Sequence, residues 1–202
     1  MIDIQGYILA GGKSSRMGQD KARLEIEGKP LVLRAADLLK PFVREVTLLG
    51  PPELFSDLGF PVIADQWPDQ GPLAAVCTGL QHSRAEWNIF LACDLPLLTV
   101  SFIHLLRDRA AVSSADVVAP HTVDGWQPLC AAYRSRCCQA CVGALHAGRR
   151  SLIKLFDDLS VEAISSSELA AAGLGEGSLA NVNTPDEWAR IVEESEGSRK
   201  RC

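Results

Sequence analysis

Glycine and basic residues follow the first apolar run of the chain, within residues 8–21. This segment contains two adjacent glycines and three cationic side chains: Gly11, Gly12, Lys13, Arg16 and Lys21. Paired glycines leave the backbone without Cβ atoms, so an anion can approach successive N–H groups closely. Three full positive charges suit a triphosphate better than a neutral ligand. The segment therefore predicts a phosphate-binding loop, although a solvated loop between a strand and a helix has similar residues.

Two acidic residues follow predicted strands farther along the chain. Asp94 comes directly after the apolar run 88–93, which is typical of a central strand buried on both faces, and Asp65 follows a shorter run at 61–64. Ligands of open α/β sheets bind beyond the carboxyl ends of the strands. Because an unpaired carboxylate beside a dry core is costly, Asp94 is a candidate metal ligand. Its alternatives are a helix N-cap or an arginine partner, and Asp65 has the alternative of an ordinary loop acid.

The pair Gly71-Pro72 indicates the start of a helix that we expect to run to about His82. Proline in the first helical turn costs nothing, because the N–H that it lacks would have no partner there. Helix starts of this kind bind phosphate groups or nucleotide edges readily. Gly71 and Pro72 are therefore candidates for nucleotide contact.

Two later segments contain polar residues that could contact a second substrate. Asn183 or Thr184 can cap the last helix before Pro185, but capping does not explain Asn181. The Asn181 amide could orient a phosphate or complete a magnesium shell through water. Gln127, between an aromatic residue and a proline, is the other candidate. We group Gln127, Asn181 and Asn183 as candidates for second-substrate contact or for the metal shell.

The elements that must position these residues alternate along the chain. Apolar runs of strand length are separated by amphipathic segments of helix length, which predicts an α/β fold with a mostly parallel sheet and crossover helices. No repeat or long linker marks a boundary between domains. We therefore expect one domain over residues 1–195, with a last helix to about Glu194 and a disordered polar tail at 196–202.

Composition and charge exclude several classes of protein. The chain has 202 residues, 47% of them hydrophobic, and a net charge of −5, which argues against general binding to nucleic acid or to a membrane surface. We find no secretion signal and no apolar run of the roughly 18 residues that a membrane span needs, so we expect a cytoplasmic protein. The seven cysteines lack framework or zinc spacing, and we expect reduced thiols, including those at Cys137, Cys138 and Cys141.

The order and spacing of several motifs resemble those of the molybdenum cofactor guanylyltransferases, over nearly the whole chain from Tyr7 to about Val192. The first motif consists of Leu9-Ala10-Gly11-Gly12, Arg16-Met17-Gly18 and Lys21, and the later motifs are Gly71-Pro72-Leu73-Ala74, Cys93-Asp94-Leu95-Pro96 and Asn181-Val182-Asn183-Thr184-Pro185. The first motif is shared by a wider nucleotidyltransferase superfamily with a Rossmann-like sheet. The resemblance thus implies a three-layer α-β-α nucleotidyltransferase fold.

The resemblance also implies roles for single residues. It implies that Leu9 to Gly11 and Lys21 bind GTP, that Asp65 contacts the nucleotide, and that Asp94 binds both nucleotide and Mg²⁺. The chain departs from the family at two positions. Gly50-Pro51 stands where an asparagine commonly contacts the nucleotide, and Gln127-Pro128 stands where a His-Pro pair is usual.

The activity that follows is transfer of GMP from GTP to the terminal phosphate of molybdenum-bound molybdopterin, with release of pyrophosphate. Arg16, Lys21 and Asp94 would be the catalytic residues, and Gly12 and Lys13 would also bind phosphate. Expected partners are the two substrates and, transiently, other cofactor-biosynthesis proteins or apo-molybdoenzymes. The alternatives are a related transferase that uses CTP or a sugar phosphate, and a nucleotide-binding carrier of the cofactor without turnover.

Overall fold

The structure is a computed structural model that describes residues 2–11, 21–175, 177–182 and 184–199, with side chains as far as Glu193. Its strands are β1 (Ile4–Leu9), β2 (Glu25–Ile26), β3 (Lys29–Pro30), β4 (Val46–Leu49), β5 (Val62–Ile63), β6 (Trp87–Ala92), β7 (Val117–Thr122), β8 (Gly125–Trp126), β9 (Cys130–Arg134) and β10 (Val161–Ser165). Its α-helices are α1 (Leu31–Leu39), α2 (Pro52–Phe55), α3 (Pro72–His82), α4 (Val100–Val112), α5 (Cys137–His146), α6 (Leu152–Phe156), α7 (Ser166–Ala171) and α8 (Pro185–Arg199).

An eight-stranded sheet forms the centre of the molecule, in the order β10-β7-β9-β6-β1-β4-β5, with β8 paired to β7. Within this sheet β9 runs antiparallel to both of its neighbours, and β8 antiparallel to β7. The remaining neighbours pair in parallel. The prediction of a mostly parallel sheet is therefore confirmed.

Helices cover both faces of the sheet because the strands alternate their side chains between two cores. In β1, Ile8 packs in one core with Leu39 of α1 and Phe102 of α4. Its neighbour Leu9 packs in the other core with Leu73 of α3. This alternation, with period two, produces the three layers α-β-α that the resemblance implied.

A short hairpin follows Lys21 in the chain. A 3₁₀ turn spans Lys21–Arg23, and after it β2 and β3 pair in antiparallel orientation. The two residues between these strands, Glu27 and Gly28, have φ of 55° and 74°. Positive φ at both positions is typical of a tight two-residue turn, which reverses the chain between β2 and β3.

The last helix, α8, is longer than its predicted extent to about Glu194, since it continues to Arg199. No proline interrupts the polar sequence after Glu194, so no steric stop ends the helix there. Residues 200–202 lie outside the described part of the chain. Among the described helices, none is long and apolar enough to cross a membrane.

Replacement of Gly79 by alanine should destabilise the fold, because α3 packs closely on β6 at this residue. A Cβ there would lie 2.6 Å from Cε1 of the buried Phe90 ring. We expect Gly79→Ala to lower the free energy of unfolding by about 1–3 kcal/mol, measured by urea denaturation.

Gly143, in α5, is the matched control for this substitution. A Cβ at Gly143 meets nothing within 4 Å. Gly143→Ala should therefore raise the free energy of unfolding by up to about 1 kcal/mol through helix propensity alone. Equal effects of the two substitutions would contradict the close packing of α3 on β6.

Candidate functional site

One cleft of about 840 Å³ lies at the carboxyl edge of the sheet, beyond the ends of β1, β4, β5 and β6. The size is typical of a site for a small molecule. Eight residues predicted for the site line this cleft: Leu9, Ala10, Gly11, Lys21, Asp65, Gly71, Pro72 and Asp94. They come from five separate segments, which the parallel strands bring to the same edge. Gly12, Lys13, Arg16 and Asn183 lie outside the described residues.

Asp94 lies in the turn that follows β6. Its side chain is 23% exposed, and its Oδ2 lies 3.8 Å from Nζ of Lys21. Burial raises the pKa of the Asp94 carboxyl above its ordinary value, and this outweighs the opposite effect of the Lys21 charge. The N-cap of α4 is Thr99, so Asp94 has no role in capping that helix. A carboxylate that is kept partly dry beside a cation is suited to bind a metal or a charged ligand.

Lys21 carries a positive charge at the mouth of the cleft, where its side chain is 20% exposed. Besides its approach to Asp94, its Nζ donates a hydrogen bond of 2.8 Å to the carbonyl oxygen of Val182. The lysine therefore joins the first motif to the Asn-Val-Asn segment near the C-terminus. The sequence did not predict the role of Val182, because every residue type has a main-chain carbonyl that could accept this hydrogen bond.

Asp65 follows β5 and organises the opposite wall of the cleft. Its Oδ1 accepts hydrogen bonds from the Trp67 N–H, at 2.9 Å, and from the Thr78 hydroxyl, at 3.2 Å. Burial raises the pKa of the Asp65 carboxyl despite these hydrogen bonds, which act to lower it. Asp65 thus links the loop after β5 to α3. No motif in the sequence predicted that Thr78, in the middle of α3, would be a hydrogen-bond partner of Asp65.

Gly11 and Gly50 meet where the loops after β1 and β4 approach each other. The Gly11 N–H donates to the carbonyl of Leu49 at 3.1 Å, so it is directed at the sheet. A Cβ on Gly50 would lie 3.2 Å from the Gly11 nitrogen and 3.0 Å from the Phe55 ring. Glycine at position 50 is therefore explained by packing. The space at Gly11 is larger, since a Cβ there would lie 3.5 Å from its nearest neighbour, Cα of Gly50.

The first turn of α3 borders the cleft as predicted. Gly71, with a φ of 77°, precedes Pro72 at the helix start, and no side chain caps this end. The positive φ favours glycine, and the uncapped N-terminus directs the positive end of the helix dipole to the cleft. This wall is suited to an anion or to the acceptor edge of a base.

Gln127 and Asn181 are not among the residues that line the cleft. The Gln127 N–H donates to the Pro120 carbonyl, and its own carbonyl accepts from the Cys130 N–H, which fixes the turn into β9. Two residues later, Leu129 lines the cleft instead. Asn181 is exposed beside the buried Val182, and Thr184 caps α8 in a reciprocal pair with Glu187.

The described part of the chain contains no cluster of three or more His, Cys, Asp or Glu residues that could hold a metal. Six cysteines within it are free thiols, and five of these six are buried. The three cysteines of α5 are thus part of the protein interior or its margin, in agreement with the expectation of reduced thiols.

Comparison with known proteins shows the family of the chain. A family model described as a MobA-like NTP transferase domain matches residues 6–163. A probable molybdenum cofactor guanylyltransferase from Nostoc sp. is 35% identical over 199 residues, covering 95% of this chain and 91% of that protein. The molybdenum cofactor guanylyltransferase of Vibrio cholerae is 30% identical, with 94% and 91% covered.

A solved structure shares the fold over the whole chain. It is molybdopterin-guanine dinucleotide biosynthesis protein A from Archaeoglobus fulgidus, with a TM-score of 0.82 at 21% identity, covering 98% of this chain and 100% of that one. The relatives from Nostoc sp. and Vibrio cholerae are both named as molybdenum cofactor guanylyltransferases. The chain belongs to the MobA-like nucleotidyltransferases, a family of transferase enzymes.

Proposed function

We propose that this enzyme transfers GMP from GTP to the terminal phosphate of molybdenum-bound molybdopterin. An oxygen of that phosphate attacks the α-phosphorus of GTP, a new phosphorus–oxygen bond forms, and the bond to the β-phosphate breaks to release pyrophosphate. The observation that carries the proposal is the convergence of Lys21 and Asp94, 3.8 Å apart, at the mouth of the cleft. The names of the relatives support the choice of substrates.

The reaction does not require a histidine or another general base. A phosphate monoester has a second pKa of about 6 and is already an anionic nucleophile at neutral pH. The site must instead hold two polyanions in line and stabilise the charge that develops on pyrophosphate. A cation, an uncapped helix start and a carboxylate that can hold a metal are the groups that this task needs.

Asp94 fits the role of a magnesium ligand. Mg²⁺ is commonly held by one or two carboxylates together with substrate phosphates and water, so a single carboxylate at the cleft is sufficient. The partly dry environment that raises the pKa of Asp94 also favours binding of a compensating cation. Bound Mg²⁺ would neutralise phosphate charge, while Asp94 itself orients the substrate through the ion.

Lys21 is proposed to bind a phosphate of GTP directly. Its ammonium has several N–H donors, so it can donate to a phosphate oxygen while it keeps the hydrogen bond to the Val182 carbonyl. Lys13, Arg16 and the Gly12 N–H, outside the described residues, remain proposed contributors to the same phosphate group. The Gly11 N–H is already bonded to Leu49, so the role we propose for Gly11 is close approach of the ligand.

Guanine is proposed to lie along the wall formed by Gly50-Pro51 and the start of α3. These residues line the cleft. Gly50 contributes no side chain to read a base, and this favours a second candidate function, a transferase for CTP or for a sugar phosphate. Thermal shifts with the four nucleoside triphosphates and Mg²⁺ separate the candidates, since we expect the largest shift with GTP.

Incubation with GTP, Mg²⁺ and molybdenum-bound molybdopterin tests the proposed function. We expect pyrophosphate release that requires all three, and a product that contains guanine joined to the pterin through two phosphates. Omission of the pterin is the control for simple hydrolysis. Nucleotide binding without pyrophosphate release would instead favour a cofactor carrier that has no turnover.

Asp94→Asn should abolish turnover that depends on Mg²⁺ while the fold is kept. In the enzyme without ligands it should also raise the midpoint of thermal unfolding at pH 7. The physical reason is that folding raises the pKa of Asp94. The folded protein therefore loses stability as the pH rises from the pKa of Asp94 in the unfolded chain to its pKa in the folded one. The difference between Asp94→Asn and the wild type should therefore close at pH values below the ordinary aspartate pKa.

Asp57→Asn is the control, because its effect on the midpoint of thermal unfolding should have the opposite sign. A hydrogen bond from Arg23 holds the pKa of the Asp57 carboxyl below its ordinary value. Asp57 is not among the residues that line the cleft. This substitution should lower the unfolding midpoint slightly at pH 7 and leave turnover intact. Turnover of Asp94→Asn at the wild-type rate would disprove the metal assignment.

Lys21→Ala should weaken GTP binding about tenfold or more, because a phosphate loses a charge-assisted hydrogen bond inside a partly dry site. Isothermal titration calorimetry measures the change. Lys29→Ala is the matched control, since Lys29 is paired with Asp37 and does not line the cleft. If Lys21→Ala binds GTP as the wild type does, the phosphate site lies elsewhere.

A further inference from the structure

Val182 contacts both charged residues of the site with its main chain. Its N–H donates a hydrogen bond of 3.0 Å to the carbonyl oxygen of Asp94. Its carbonyl oxygen accepts the hydrogen bond of 2.8 Å from Nζ of Lys21. One peptide segment near the C-terminus is thus bonded at the same point to the turn after β6 and to the lysine of the first motif.

The position of Val182 is determined by packing on its N-terminal side. The Val182 side chain is 1% exposed, and Leu174 and Leu179, at 4% and 8%, are buried in the core that covers one face of the sheet. On the C-terminal side of Val182, α8 begins after Thr184, which exchanges two reciprocal hydrogen bonds with Glu187 as a helix cap. Buried apolar side chains and a helix cap therefore hold the backbone on which Lys21 rests.

We propose that Val182 is a positioning residue, anchored by its N–H on the Asp94 turn and holding the Lys21 ammonium at the cleft through its carbonyl. A lysine side chain has four rotatable bonds, and ordering it on binding costs conformational entropy. Val182 reduces this cost because it keeps the ammonium beside Asp94 before nucleotide arrives. The catalytic consequence rests on the proposed function, whereas the placement of Lys21 can be measured without any ligand.

The rate at which an added reagent acylates Lys21 measures that placement directly, because an ammonium that is held at the cleft reacts more slowly than one that moves freely. The variant Val182→Pro removes the N–H that anchors the segment on Asp94, and Val182→Ala keeps both main-chain groups. We expect the rate of Lys21 acylation, followed by peptide mass spectrometry, to rise about threefold or more in Val182→Pro and to stay near the wild-type rate in Val182→Ala. Lys29, which is exposed and paired with Asp37, is the internal reference.

A second pair of variants keeps the test valid if Val182→Pro does not fold. Leu179→Ala removes a buried side chain that precedes Val182 and packs its segment into the core. Leu169→Ala removes a leucine of similar burial from α7 in the same core. We expect faster Lys21 acylation in Leu179→Ala than in Leu169→Ala at equal thermal stability. Equal Lys21 acylation rates within both pairs would overturn the proposal.

A double-mutant cycle on GTP affinity separates positioning from general loss of structure. We expect Val182→Pro to raise the dissociation constant about tenfold in the wild-type background, and less than about twofold in Lys21→Ala. The same factor in both backgrounds would show that Val182 does not act through Lys21. Failure of the proposed function would appear differently, as absence of pyrophosphate release in the wild type with the acylation pattern unchanged.

Discussion

The site depends on one contact between a lysine and a carboxylate that are both mostly removed from water. Lys21 and Asp94 approach to 3.8 Å with only about a fifth of each side chain exposed. Two charges at such a position are costly unless each has a partner, and here the lysine also bonds a main-chain carbonyl. The cost that remains on Asp94, seen in its raised pKa, is one that a bound cation would relieve.

The sheet makes that contact possible because its order brings distant segments to one edge. β1 lies between β6 and β4, so the turn with Asp94 and the loop with Gly50 flank the first motif. The two loops approach closely at Gly50, where a Cβ would lie 3.2 Å from the Gly11 nitrogen. Glycine at this position suits that packing, and it contributes no side chain to the cleft.

Much of the fold was predictable because its signals are local. The apolar run of β6, the Gly71-Pro72 start of α3 and the hairpin near Trp126 depend on hydrophobicity and turn chemistry within a few residues. The 3₁₀ turn at Lys21–Arg23 was not predictable in this way. Its Ala22 is buried in the same core as Val32 and Ala36 of α1, so the turn depends on packing between elements and not on a local pattern.

The sequence by itself determined which residue types the site would contain. Glycines, a lysine and two aspartates at the ends of strands predict a phosphate site, since their backbone freedom and their charges belong to the residue types themselves. Only the tertiary structure decided how they are connected. It turned the Gly11 N–H towards Leu49, left Gln127 outside the cleft, and joined Lys21 and Asp94 through Val182. These outcomes depend on main-chain hydrogen bonds between distant segments, and every residue type offers the same carbonyl oxygen for such bonds.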